Sequence, residues 1–88
     1  MLCRNQVRDY ETWKAVFHSH KEAHQKAGLQ LERIWQDADN PNNVFFLFEV
    51  EDRKKAEAFI SDPESAKAGK DAGVIDGNYH FMEDTHAY

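Results

Sequence analysis

Apolar residues recur along this chain with two different periods. Residues 10–28 read YETWKAVFHSHKEAHQKAG. At about 100° per residue, Tyr10, Trp13, Val16, Phe17, His20, His24 and Ala27 share one face, which predicts an amphipathic helix. Asp9 is placed to cap its start, and Gly28 suits the left-handed position that ends it. Five of those seven side chains suit a core, and the other two are histidines. Lys14, His18, Glu22 and Gln25 fall on the polar side.

Elsewhere the alternation has period two and predicts strands. Residues 1–8, MLCRNQVR, put Cys3, Asn5 and Val7 on one face and Leu2, Arg4 and Gln6 on the other. So polar a strand must meet water or line a polar cavity. Residues 29–37 predict a second strand with Leu29, Leu31, Arg33 and Trp35 on one side. The turn formers ADNPNN follow at 38–43. Residues 44–51, VFFLFEVE, are the most strand-like run, with Val44, Phe46, Phe48 and Val50 facing one way and Phe45 and Leu47 the other. A strand apolar on both sides should be central and covered twice. Asp52 can cap a further helix whose inner face is Ala56, Phe59 and Ile60. Pro63 fits the first position of a new helical segment reaching about Ala72, stopped by Gly73. The last strand is predicted at 79–83, followed by a tail that a partner subunit could order.

The order strand, helix, strand, strand, helix, strand is the split β-α-β arrangement of the ferredoxin-like fold. It predicts a single α+β domain over residues 1–88: a four-stranded antiparallel sheet, helices on one face, strands one and three central. The second face of strand three then needs cover. With two Trp, six Phe and three Tyr in 88 residues, a monomer has apolar surface left to hide. A homodimer packed through the sheet face meets that need.

Sixteen acidic and eleven basic residues give a formal net charge of −5. This disfavours nucleic acid and anionic membranes, which attract basic surfaces. Arg53, Lys54 and Lys55 form a solvated helix start. A single cysteine, Cys3, cannot make an internal disulfide and reads as a small strand residue in a reducing, cytoplasmic setting. No signal peptide or membrane-spanning run is present.

The texts VRDYETWKAVFHSH (7–20), DADNPNNVFFLFEV (37–50) and AGVIDG (72–77), with the order of elements, resemble the dimeric α+β barrel superfamily. They are most similar to its small bacterial cyclase-like and antibiotic-biosynthesis-monooxygenase-like members. The resemblance implies a homodimer and a small-molecule cavity, and a range of chemistries that includes cofactor-independent monooxygenases, cyclases and isomerases. Similar proteins tend to carry His where this chain has Asn5, and Asp at the position of His18. Asn5 can donate and accept hydrogen bonds but cannot titrate.

His20 is the candidate acid–base residue, because imidazole titrates near neutrality and can shuttle protons; it also matches the Ser-His text of the resemblance. Its alternative is a rim histidine bonded to backbone. His24 reads as a residue interacting with the helix C-terminal dipole, or as a second pocket-wall histidine. Candidate ligand-binding residues are Arg4, Asn5, Gln6, Trp13, His24, Trp35, Phe48 and His80. The arginine and amides would meet a carboxylate or carbonyl, and the aromatics an aromatic ligand. His80, between Tyr79 and Phe81, should face away from both, and His86 should be solvated. The order HKEAH at 20–24 misplaces the glutamate of the zinc-protease motif, so no metal is expected. No phosphate loop, Cys-x-x-Cys or nucleophile elbow occurs, and no cofactor is implied. Two functions stand: a small enzyme on an aromatic or carbonyl-bearing molecule, or a non-catalytic ligand-binding or structural dimer.

Overall fold

The computed structural model describes residues 1–85 of the chain. Four strands, β1 (Leu2–Val7), β2 (Leu29–Gln36), β3 (Asn43–Val50) and β4 (Val74–His80), form one sheet in the order β2-β3-β1-β4. Every adjacent pair is antiparallel, so β1 and β3 are central, as the alternation requires. Four helices pack on one side: α1 (Tyr10–Ser19), α2 (Lys21–Lys26), α3 (Arg53–Ser61) and α4 (Pro63–Asp71). No helix among the described residues is long and apolar enough to cross a membrane.

The helix boundaries follow from local chemistry. Asp9 accepts from the Thr12 N–H at 3.0 Å and the Thr12 hydroxyl at 2.7 Å. Those two donors hold its carboxyl below the usual carboxylate range. Asp52 caps α3 through the N–H groups of Lys54 and Lys55. Asp62 caps α4, with Pro63 at its first turn, where a missing N–H has no cost. Gly28 and Gly73 leave the helical segments at φ of 72° and 78°, a region that favours glycine.

The core lies between the helices and one face of the sheet. Val7, Trp13, Leu29, Val44, Phe48 and Ala56 are its most buried members, and Phe46 is buried beside them. Phe17 stacks on Trp13 with ring centroids 4.7 Å apart, and Phe46 meets Phe17 edge-on at 5.1 Å. Ala56, Phe59 and Ile60 turn inward from α3 as predicted.

Three expectations are corrected. The helix over 10–28 is not continuous: it breaks at His20, whose backbone sits at φ −98°, ψ 15°. The last strand runs Val74–His80 rather than 79–83. Strand β2 does not keep one face, because the register shifts between Leu31 and Arg33. The extra residue of that bulge turns Arg33 and Trp35 away from the core, and Ile34 takes the inward place opposite Phe46. The expected solvation of His86 falls outside the described residues.

Candidate functional site

A cavity of about 1000 Å³ lies between the sheet and the α3–α4 pair. It exists because both walls are underfilled. Helix α4 offers Ala68, Gly69 and Ala72, while β1 offers Cys3 and Asn5. Small side chains facing small side chains cannot close the gap that large residues would fill. Most of the lining is apolar and aromatic: Trp13, Phe17, Phe46, Phe48 and Phe59. The polar groups are few, which is the usual make-up of a small-molecule site.

Asn5 is one of them. With its amide oriented to satisfy both ends, its Oδ1 accepts from the Trp13 indole N–H at 3.1 Å and its Nδ2 donates to the Arg4 carbonyl at 2.9 Å. Gly77 on β4 lies directly opposite Asn5. A Cβ there would stand 2.7 Å from the Asn5 amide and 3.0 Å from the Arg4 carbonyl. Asn5 is therefore clamped between an indole and a glycine, with one amide hydrogen still free of these two bonds.

His20 stands at the break between α1 and α2 and lines the same cavity. Its Nδ1 lies 2.8 Å from the Val16 carbonyl and 3.1 Å from the Ser19 hydroxyl. A carbonyl oxygen only accepts, so Nδ1 carries a hydrogen. In the neutral ring Nε2 is then the basic nitrogen.

His24 fills the angle between Phe17, Phe48 and Phe59, with ring centroids at 4.8, 5.2 and 5.6 Å. Burial pushes its pKa down to about 4, and the positive charges that His20 and His18 can carry push the same way. A ring neutral at pH 7 does not act as a cation toward the helix C-terminus, which replaces that expectation. His24 also borders a second, more polar hollow of about 710 Å³ outside α2, across a wall it forms with Phe17, Leu29 and Phe48.

Cys3 lies on the cavity wall, but burial raises its thiol to about 11. That shift favours the protonated thiol over the nucleophilic thiolate.

The sheet's alternation divides the predicted residues. Asn5, Trp13, His20, His24 and Phe48 come together around the cavity. Arg4 and Gln6 point to the opposite face, beside Phe45 and Asn43 on β3. There Arg4 pairs with Asp76 at 3.2 Å. Trp35 is on that open face because of the β2 bulge, and it is 40% exposed. His80 pairs with Leu2 and is exposed on the same side. Gly77 and Tyr79, which do line the cavity, were absent from the sequence-derived set. An isolated glycine within a strand is the signal for close backbone approach that could have found the first. No group of three His, Cys, Asp or Glu side chains that could hold a metal ion occurs among the described residues.

No protein-family model and no curated protein sequence matches the chain. Solved structures do. One described as an antibiotic biosynthesis monooxygenase matches with a TM-score of 0.65 and 15% identity, covering 96% of this chain and 95% of that one. A candidate antibiotic biosynthesis monooxygenase from Bacteroides thetaiotaomicron matches with a TM-score of 0.68 and 17% identity, covering 96% and 86%. An uncharacterized NIPSNAP domain protein from Burkholderia xenovorans matches with a TM-score of 0.68 and 10% identity, covering 99% and 94%. The chain has the ferredoxin-like α+β fold of the antibiotic biosynthesis monooxygenase-like proteins. At these identities the likeness is one of fold, and function has to be argued from the site.

Proposed function

We propose that this protein binds a small, uncharged, flat aromatic or carbonyl-bearing molecule in the cavity, and acts on it by proton transfer with His20 as the acid–base residue. The observation that carries this reading is that His20 and Asn5 both line one open, mostly apolar cavity with several aromatic rings in its walls. The ligand should be uncharged. The charged residues on the lining, Lys26, Asp62 and Glu64, are of both signs and exposed to solvent, His24 is neutral, and Arg4, the cation once expected to meet a carboxylate, lies across the sheet. The Phe17, Phe46 and Phe48 rings supply faces and edges for a planar ligand. His20 Nε2 would take a proton from a phenol or from carbon next to a carbonyl. The unused Asn5 amide hydrogen could then steady the oxygen that gains charge. An electron-rich anion of this kind can isomerise, cyclise or react with oxygen. The fold neighbours described as monooxygenases make the last outcome worth testing first.

Binding of neutral naphthol, followed by Trp13 fluorescence in the Trp35→Phe background, tests the reading. Saturable quenching that naphthalenesulfonate does not reproduce is expected. Equal binding of the sulfonate, or none of either, would overturn it.

A second reading, ligand binding without turnover, is favoured by one feature: Asn5 is already engaged by Trp13 and the Arg4 carbonyl. Exchange of the phenol's ring hydrogens for deuterium, faster with wild type than with His20→Gln, separates the two.

We also infer that a second copy covers the open sheet face, where Phe45, Leu47 and Leu2 are only half-buried and Trp35 is exposed.

A further inference from the structure

We propose that Ser19 is a positioning residue that holds the His20 ring against the Val16 carbonyl, and so sets its direction and, through that carbonyl, its tautomer. This rests on the acid–base reading of His20 for its purpose, but not for its test.

The argument begins at the Val16 carbonyl. In an uninterrupted helix it would accept the N–H of residue 20, four positions on. Here it accepts the Ser19 hydroxyl at 2.6 Å and faces His20 Nδ1 at 2.8 Å. The His20 N–H bonds instead to the Phe17 carbonyl, three positions back, at 3.1 Å. Two side chains have displaced a backbone donor, and the helix ends there. Such back-bonding by serine is a known competitor of helical hydrogen bonds.

The hydrogens can be arranged consistently in one way. Ser19 has a single hydroxyl hydrogen. If it pointed at a bare Nδ1, the Nδ1 lone pair would face the Val16 oxygen at 2.8 Å with no hydrogen between them. If it points at the Val16 oxygen, the serine oxygen is free to accept from Nδ1–H at 3.1 Å. Nδ1–H is then shared by two acceptors, and Nε2 is left as the basic nitrogen on the ring's far edge. Ser19 thus contributes twice. It occupies the carbonyl that would otherwise draw residue 20 back into the helix, and it supplies the second acceptor that holds the ring. The side chain of Ser19 is exposed and makes no contribution to the core, so its effect on His20 can be separated from folding.

Long-range nitrogen–proton NMR on the free protein at neutral pH reads the tautomer directly. The neutral His20 ring of wild type is expected to be mainly Nδ1–H. In Ser19→Ala the population should move several-fold toward Nε2–H, the form favoured by free imidazole side chains in water. Ser19→Thr should restore the wild-type pattern. A wild-type ring already in the Nε2–H form, or a Ser19→Ala ring unchanged from wild type, would overturn the proposal. The acid–base reading fails by a different result: unchanged hydrogen exchange on naphthol in His20→Gln, whatever the tautomer in wild type.

Discussion

The two faces of this sheet are made by alternate residues of the same strands, yet they have opposite characters. On the helix side, Val44, Phe46 and Phe48 are almost completely buried, and Asn5 is held by an indole. On the other side, Phe45 and Leu47 are only partly covered, Arg4 pairs with Asp76, and the Arg33 guanidinium lies 5.8 Å from the centre of the Trp35 ring. The first face encloses a cavity with few charges. The second is apolar in its middle and edged by charged and polar groups, the face proposed above to take a second copy. The polar residues of β1 are therefore divided between two surfaces. Asn5 lines the cavity, whereas Arg4 and Gln6, one residue to either side, belong to the opposite surface.

The two tryptophans test that contrast most strongly. Trp13 is 1% exposed, stacked on Phe17 and bonded to Asn5. Trp13→Ala should cost about 3–5 kcal/mol in denaturant unfolding. Trp35→Ala, on the open face, should cost no more than about 0.5 kcal/mol in dilute protein, while light scattering shifts from dimer to monomer. Equal losses of stability at the two positions, or a monomeric wild type, would erase the distinction between a folding face and an association face.

A smaller effect is expected at Gly77, which lies directly opposite Asn5 on the sheet. Gly77→Ala places a methyl 2.7 Å from the Asn5 amide and 3.0 Å from the Arg4 carbonyl. Overpacking of this kind costs about 1–3 kcal/mol. Asn5→Ala removes the nearer obstacle, so the Asn5→Ala, Gly77→Ala double variant should lose less than the sum of the singles in urea unfolding. Strict additivity would mean that the Asn5 amide is not clamped in solution.

Much of this was legible in the sequence, for identifiable reasons. The two-sided apolar run of β3 required a central strand, and Asp9, Asp52, Pro63 and Gly28 marked the helix ends through their own backbone chemistry. What stayed hidden depended on contacts between elements. The β2 bulge redirects Trp35 by one residue, and no alternation count detects an inserted residue that keeps both faces plausible. The break at His20 arises from two side chains competing for one carbonyl, while the helical periodicity runs straight through it. The division between Asn5 and its neighbours Arg4 and Gln6 was visible as alternation, but only the position of the helices says which face holds a cavity. His80 was correctly placed opposite Tyr79, and the same fact removes it from the cavity wall.

The cavity face should also be the more acid-sensitive of the two, through His24. Its ring is surrounded by Phe17, Phe48 and Phe59, and its pKa falls to about 4 from an ordinary 6.5, chiefly by burial. The unfolded chain therefore takes up this proton at a higher pH than the folded one does. The contribution of the neutral ring is fully present above pH 6.5 and is lost progressively as the pH falls toward 4. Allowing for the ring's partial exposure, the loss should be about 1–2 kcal/mol. Asp9 and Asp37, whose carboxyls are held low by hydrogen bonds from Thr12 and from Asp39 and Asn43, also weaken the fold in acid. Removing the imidazole isolates its share. Urea unfolding of His24→Leu at pH 7 and pH 4.5 should show a smaller drop than wild type by roughly that amount. Parallel losses in the two proteins would mean that His24 is as well solvated in the fold as in the unfolded chain. The aromatic wall between the cavity and the outer hollow would then be open to water.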